Sequence, residues 1–132
     1  MRAVRIHEYG GPEVLRWEEI PEPVCPDGKI LVEIKAASIN HLDLWVRKGL
    51  PRTPLPIILG SDGSGVVTQV GRGAEQWEEG DEVIIQPGTY CGECTFCTRG
   101  KENYCKQYGI LGETENGTQC EFMLADTRNV ER

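Results

Sequence analysis

Four cysteines between residues 91 and 105 constrain this chain more than any other feature of its sequence. They lie as Cys91-x2-Cys94-x2-Cys97-x7-Cys105. Such spacing brings four thiolates onto one small lobe, and four thiolates are the ligand set of a tetrahedral structural Zn²⁺. A closed set of four sulfurs leaves no open coordination position, so the ion would organise the lobe without taking part in catalysis. We therefore predict a structural zinc site with these four ligands.

Two other uses of the cysteines are weaker. Disulfides are disfavoured because Met1–Arg5 leads into no apolar signal segment, and because a chain of 132 residues buries enough surface to fold without covalent staples. An iron–sulfur cluster also takes four cysteines, but bacterial ferredoxin runs end in Cys-Pro after a short gap, and no proline follows Cys105. The pattern favours zinc over both. Cys25 and Cys120 lie outside the run, and we predict no ligand role for them.

Length and charge restrict the class of protein. The 132 residues predict one domain, and a composition of 39% hydrophobic and 27% charged residues is typical of a globular protein. The net charge of −7 argues against a partner with a phosphate backbone. No apolar run approaches the roughly 18 residues of a membrane-spanning helix. We expect a cytoplasmic protein that binds neither nucleic acid nor membrane.

Short alternating segments separated by glycine and proline predict a mainly antiparallel, partly open β-barrel. The predicted strands are Met1–His7, Val14–Ile20, Lys29–Ser38, Gly65–Val70, Glu82–Ile85 and Gln119–Leu124. One helix is convincing, from Leu42 to Lys48, with Asn40 as N-cap and Gly49 at its end. Asn116-Gly117-Thr118 is typical of a hairpin turn.

Two segments near this helix are candidates for a site. Asn40-His41-Leu42-Asp43 lies where a strand gives way to a helix, a common place for functional residues. A purely structural interpretation is also open, in which Asn40 caps the helix and Asp43 complements its dipole. The glycine-rich turn Gly60–Gly65 is not a phosphate-binding loop, since it lacks the Gly-Lys-Ser/Thr ending and a following helix.

The order of these motifs resembles the N-terminal, GroES-like catalytic domain of the medium-chain dehydrogenase/reductase superfamily, which includes zinc alcohol dehydrogenases and quinone oxidoreductases. The resemblance runs from Met1 to Arg132 and is carried by Lys29–Ile34, Asn40–Gly49, Pro56–Val67, Gly80–Val83 and the cysteine run. It implies a mainly β, GroES-like, partly open barrel with one or two short helices. It also implies a zinc-bound cysteine lobe at about residues 91–105, because the run matches the structural zinc motif of the alcohol dehydrogenases.

The catalytic zinc motif of that family is not matched. Asn40 stands at the position of the first cysteine ligand, and Gly60-Ser61-Asp62 replaces the Gly-His-Glu triplet that carries the second. Leu42 and Trp45 occupy positions of the proton relay. These departures resemble the zinc-independent quinone oxidoreductase branch, although that branch typically lacks the cysteine lobe.

The resemblance implies hydride transfer between NAD or NADP and a small carbonyl, enone, quinone or alcohol, without a catalytic zinc. It assigns catalytic roles to Asn40 and Asp62, a substrate cleft to Ser61, Trp45 and Tyr90, and contact with the cofactor to His41. A Rossmann NAD(P)-binding domain is expected outside these 132 residues, so the isolated domain is expected to be inactive. The longer protein is expected to be a homo-oligomer.

Two alternatives remain open at this point. The first is a zinc-dependent alcohol dehydrogenase that uses unusual ligands such as His41 and Asp62. The second is a stand-alone zinc-binding interaction module, which would need no nucleotide domain.

Overall fold

Most of the regular structure in the computed structural model, which describes residues 1–132, consists of short antiparallel strands. The strands are β1 Arg2–Ile6, β2 Arg16–Glu19, β3 Lys29–Ala37, β4 Ile57–Ile58, β5 Gly63–Val70, β6 Glu82–Ile85, β7 Gly88–Thr89, β8 Gly109–Ile110, β9 Phe122–Asp126 and β10 Val130–Glu131. One α-helix, α1 His41–Lys48, follows β3. Short 3₁₀ turns lie at Pro12–Val14, Cys97–Arg99, Glu102–Tyr104 and Thr127–Asn129.

A five-stranded sheet in the order β10-β6-β5-β3-β9 forms the larger part of the fold. Strand β3 pairs with β5 on one side and with β9 on the other. Register shifts between Leu31 and Val32, and between Ile34 and Ala36, interrupt its pairing with β5. Because such bulges bend a strand and increase its twist, the sheet curls around a core that includes Ile30, Val67 and Trp77. The predicted partly open barrel is confirmed.

A smaller sheet, β2-β1-β4, and helix α1 enclose a second core of Ile6, Val14, Val46, Ile57 and Leu59. The Val4 N–H donates to the Gln119 carbonyl at 2.8 Å, so β1 is joined to the segment that leads into β9. The two layers therefore share one framework, and α1 is fixed at their junction. No helix has the length and apolar character that crossing a bilayer would need.

The predicted elements differ from the structure mainly at their ends. Helix α1 begins one residue earlier than predicted and ends at the predicted residue, while the last long strand begins three residues later. The hairpin turn predicted at Asn116-Gly117-Thr118 is wrong, because the turn lies at residues 112–114. Asn116 Oδ1 instead accepts a hydrogen bond from the Ile58 N–H at 3.0 Å. A Cβ on Gly117 would lie 2.7 Å from the Leu59 carbonyl oxygen, so glycine permits this close approach.

Candidate functional site

The cysteine lobe has almost no apolar interior of its own. It leaves the barrel at β7 and returns at β8, and these two strands pair at its base. Between residues 91 and 108 only Cys97 and Cys105 are buried. Two 3₁₀ turns are its only regular structure. Since so little apolar surface is removed from water, the lobe has only a small hydrophobic contribution to its own order.

The four sulfur atoms have the spacing that a tetrahedral ion requires. All four lie within 4.8 Å of one another. The Sγ–Sγ distances are 3.5 Å for Cys94–Cys97, 3.6 Å for Cys91–Cys105 and 3.9 Å for Cys91–Cys97. A tetrahedron with Zn–S bonds of about 2.3 Å has edges of about 3.8 Å. No cysteine forms a disulfide. The four cysteines thus form a group that could hold a metal ion, and zinc as that ion stays a prediction.

Two cysteines of the lobe, Cys91 and Cys97, have pKa values shifted in opposite directions. Hydrogen bonds from the Glu93 and Cys94 backbone N–H groups lower the pKa of Cys91 to about 7. Burial raises the pKa of Cys97. A bound divalent cation would reverse the preference of Cys97, because a coordinating thiol is deprotonated. Metal binding here would therefore release a proton from the buried Cys97.

Cys25 and Cys120 lie outside the four-sulfur group, as predicted. The Cys120 Sγ donates to the carbonyl of Phe122 at 3.2 Å. Its burial, together with the charge of Glu121, raises the pKa of the Cys120 thiol to about 12. The raised pKa favours the neutral thiol, so its contribution to stability is present below the unfolded-state pKa and lost as pH rises from about 9 towards 12.

Cys120 should consequently react slowly with an alkylating agent at pH 8. The thiolate is the nucleophile, and a rise of about three units lowers its population more than the gain in intrinsic nucleophilicity compensates. We expect alkylation of Cys120 by iodoacetamide about 10- to 100-fold slower than that of a free peptide cysteine. Peptide mass mapping of a zinc-loaded Cys25→Ser variant measures the rate, and unfolding in urea should restore full reactivity. A native rate equal to that of the peptide would refute the expectation.

A second polar cluster joins the end of β3, the start of α1 and the loop between β4 and β5. The Asn40 side-chain amide donates to Asp62 Oδ2 at 2.6 Å and to Ser38 Oγ at 3.2 Å. Ser38 Oγ also donates to Asp62 Oδ2 at 3.2 Å. We call Ser38, Asn40 and Asp62 the polar triad. Two of its members were predicted as site residues, and Ser38 was missed because only the fold brings it to Asp62.

Asp43 holds the two segments of the triad in place. It is 4% exposed, and its Oδ2 accepts from the Asn40 backbone N–H at 2.8 Å. Its Oδ1 accepts from the Gly60 N–H at 3.0 Å. One carboxylate therefore caps the first turn of α1 and also fixes the Gly60-Ser61-Asp62 turn. Asp43 thus has the structural role at the helix start that the sequence suggested, and it also makes a second contact, with the Gly60 N–H.

The hydrogen bonds of the triad determine what it can offer to a ligand. Both amide hydrogens of Asn40 are used, and its side chain also faces the Asp43 backbone N–H in a capping box, so it can offer a ligand only the remaining acceptor capacity of Oδ1. Asp62 offers its second oxygen, also an acceptor. Ser61 is 5% exposed, and its hydroxyl has no hydrogen-bond partner. The site therefore presents acceptors, while the hydroxyl of Ser61, which has no partner, is buried within the chain.

His41 and Trp45 form an aromatic pair on the first two turns of α1. Their ring centroids are 5.1 Å apart at an interplanar angle of 62°, and Trp45 is 53% exposed. The pair lies on the same helix that Asn40 begins. Tyr90 lies instead at the base of the cysteine lobe, where the Arg128 guanidinium carbon is 4.9 Å from its ring centre. A place for Tyr90 in a substrate cleft stays a prediction.

A family profile and the sequence relatives of this chain both point to the alcohol dehydrogenases. The profile of the alcohol dehydrogenase GroES-like domain matches residues 26–132. An alcohol dehydrogenase of Schizosaccharomyces pombe is 34% identical over 128 residues, which is 94% of this chain and 36% of that protein. An alcohol dehydrogenase of Geobacillus stearothermophilus is 35% identical over 129 residues, 95% of this chain and 37% of that protein.

Solved structures agree with the sequence relatives. The crystal structure of an NAD-dependent alcohol dehydrogenase superposes with a TM-score of 0.95 at 48% identity, covering 99% of this chain and 39% of that one. A cobalt- and zinc-bound thermostable alcohol dehydrogenase from Pyrobaculum aerophilum superposes with a TM-score of 0.89 at 33% identity, covering 98% and 40%. This chain thus spans well under half the length of these proteins.

Proposed function

The chain belongs to the family of alcohol dehydrogenase GroES-like domains, and on that premise we propose that it is the substrate-side part of an oxidoreductase that transfers hydride without a catalytic zinc. The proposed substrates are small carbonyls, enones, quinones or the corresponding alcohols. The proposed cofactor is NAD or NADP, which supplies or accepts the hydride when bound. The binding of that cofactor is assigned mainly to a nucleotide-binding domain outside these residues.

The donor set around Asn40 and Asp62 is the observation that supports a zinc-free site. An amide oxygen, a hydroxyl and one carboxylate do not make the nitrogen- and sulfur-rich set that Zn²⁺ prefers. The Asp62 Oδ2 atom already accepts two hydrogen bonds from within the chain. The four lobe cysteines are the one group of three or more metal-binding side chains in the structure.

The same atoms suggest how the chain handles its substrate. Oδ1 of Asn40 and the free oxygen of Asp62 accept hydrogen bonds, so they suit a substrate hydroxyl. The Ser61 hydroxyl is a buried donor without a partner, so a hydrogen bond to the oxygen of a carbonyl under reduction would require the Gly60-Ser61-Asp62 turn to expose it. Asp43 fixes the spacing of these groups, while Trp45 limits the shape of the cleft and His41 approaches the cofactor.

We assign the ion of the cysteine lobe to zinc. Four thiolates at these distances suit Zn²⁺, and a closed tetrahedral site leaves no position for substrate. Its function is therefore to order residues 91–105.

A metal count on the full-length protein tests the proposal. We expect one zinc per chain, and turnover of an enone or quinone with NADH or NADPH that continues in the presence of 1,10-phenanthroline. Two zinc ions per chain, with activity lost on removal of one, would overturn the zinc-free mechanism. Failure to transfer hydride to any carbonyl, enone or quinone, or from any alcohol, would overturn the oxidoreductase assignment.

A zinc-dependent mechanism is the second candidate, since a solved relative is described as bound to cobalt and zinc. It would require His41 and Asp62 as ligands. In the structure the His41 ring packs edge-on against Trp45, and Asp62 bonds to Asn40 and Ser38. Both side chains would have to leave these partners, so the metal count is expected to favour the first candidate.

A further inference from the structure

The segment that follows β9 directs an arginine at the cysteine lobe. Arg128 lies in the 3₁₀ turn Thr127–Asn129, and Asp126 caps that turn by accepting from the Arg128 N–H at 3.1 Å. The same carboxylate accepts from Arg128 Nε at 3.1 Å and from Nη2 at 3.2 Å. A guanidinium held at two of its nitrogens is pre-organised, so the direction of the third, Nη1, is fixed.

Nη1 lies against the first turn of the metal site. A Cβ atom on Gly92 would overlap it, so this position accommodates only glycine while Arg128 is in place. The guanidinium carbon lies 4.9 Å from the centre of the Tyr90 ring. Arg128 therefore packs against the residues immediately before and after Cys91. Its contact connects the barrel with the first ligand of the predicted zinc site.

The neighbouring Asn129 fixes the chain where it enters the lobe. It is 6% exposed, and its side-chain amide donates to the carbonyls of Gln86 and Gly88, each at 2.8 Å. Arg128 and Asn129, in the 3₁₀ turn that follows β9, thus contact both the first turn of the lobe and the approach to it. The cysteines themselves lie in a segment with little apolar packing, so few other contacts hold the lobe against the barrel.

Charge favours the same contact. Within residues 91–105, Glu93 and Glu102 offset Arg99 and Lys101. Four thiolates around a divalent cation leave an excess of two negative charges, and outer-shell groups commonly stabilise such sites. The guanidinium of Arg128 adds a positive charge next to this lobe from a residue outside it.

We propose that Arg128 is a positioning residue of the four-cysteine metal site, which holds the Cys91 turn against the barrel and slows release of the ion. The inference rests on the zinc site proposed above. Arg128 acts through Tyr90 and Gly92, on either side of Cys91.

Release of zinc from the loaded protein to the dye 4-(2-pyridylazo)resorcinol tests the inference. We expect Arg128→Gln to release zinc about 10- to 100-fold faster than wild type, the range seen when outer-shell partners are removed. Arg128→Lys keeps the charge but lacks the two-nitrogen contact with Asp126, so an intermediate rate is expected. Arg99→Gln is the matched control, because Arg99 lies exposed in the lobe and its side chain makes no hydrogen bond. It should stay within about twofold of wild type.

Two further measurements distinguish a positioning role of Arg128 at the metal site from a general loss of stability. The thiolate-to-metal absorption of the cobalt-loaded protein should shift in Arg128→Gln and not in Arg99→Gln. Global unfolding, followed by tryptophan fluorescence, should remain slower than zinc release in every variant. Equal release rates for Arg128→Gln and wild type, or for Arg128→Gln and Arg99→Gln, would overturn the inference. A wild-type chain that takes up neither zinc nor cobalt would overturn the proposed zinc site as well.

Discussion

Replacement of Cys97 by serine is expected to abolish zinc binding and unfold the cysteine lobe while the barrel remains folded. Cys97 is 8% exposed, and its sulfur lies 3.5 Å from that of Cys94 and 3.9 Å from that of Cys91. A serine hydroxyl neither matches the Zn–S bond length nor ionises readily, so three thiolates would remain around an incomplete site.

The expected loss of stability is large because metal binding is folding free energy in a segment of this kind. Structural zinc contributes about 10–16 kcal/mol in small zinc-finger peptides at neutral pH. Here the barrel supplies part of the framework, so we expect a smaller loss of about 3–5 kcal/mol, similar to other buried-site deletions. For a chain of this size that corresponds to a fall in melting temperature of roughly 10 °C or more.

Zinc content, thermal denaturation and limited proteolysis measure the three parts of this expectation. Cleavage should be confined to the lobe, between Cys91 and Cys105. Cys25→Ser is the matched control, since Cys25 lies outside the four-sulfur group. It should keep one zinc per chain and an unchanged melting temperature. A Cys97→Ser protein that keeps its zinc, or whose lobe resists protease as wild type does, would show that the ion does not order the lobe.

Local sequence patterns predicted the features that depend on near neighbours. The four cysteines of the candidate metal site lie within 15 positions of one another, so their spacing alone indicated one group. Helix α1 was equally accessible, because its cap, its charges and its terminal glycine all lie within the segment 40–49. Strand β3 was predicted from the alternation of its apolar residues, whereas its pairing with β5 and β9 was seen only in the structure.

Contacts between distant segments were not predictable in the same way. Asn40 meets Asp62 across 22 positions, and Arg128 meets Gly92 only because β9 returns beside the lobe. Strands of two residues, such as β4 and β7, carry too few ladder bonds to leave a pattern. Asn116-Gly117 was misinterpreted because the pair has the residues of a turn, whereas its glycine here allows close packing against the Leu59 carbonyl. Asn40 and Asp62 were suggested as site residues by resemblance, and the fold brings these two together.

Removal of the Asp43 carboxylate is expected to produce the second large effect. Asp43→Ala leaves the N–H groups of Asn40 and Gly60 without their acceptor, and the bond to Gly60 lies in a buried position. An unsatisfied buried donor costs about 1–3 kcal/mol, so we expect the two together to destabilise the protein by about 2–4 kcal/mol. Asp43→Asn should be intermediate, because an amide oxygen can accept one of the two bonds while its nitrogen faces another donor.

Asp27→Ala is the control for loss of an aspartate at the surface. Its ion pair with Arg72 is exposed, at 64% for the Asp27 side chain, so its removal should cost at most about 1 kcal/mol. Chemical denaturation with saturating zinc measures all three variants, and amide hydrogen exchange at Gly60 supplies a local readout that should accelerate most in Asp43→Ala and stay at the wild-type rate in Asp27→Ala. Because Asp43 ties the start of α1 to the Gly60-Ser61-Asp62 turn, the same variant should also loosen the polar triad. If Asp43→Ala were as stable as wild type and exchanged Gly60 no faster, the buried carboxylate would not be what aligns the candidate site.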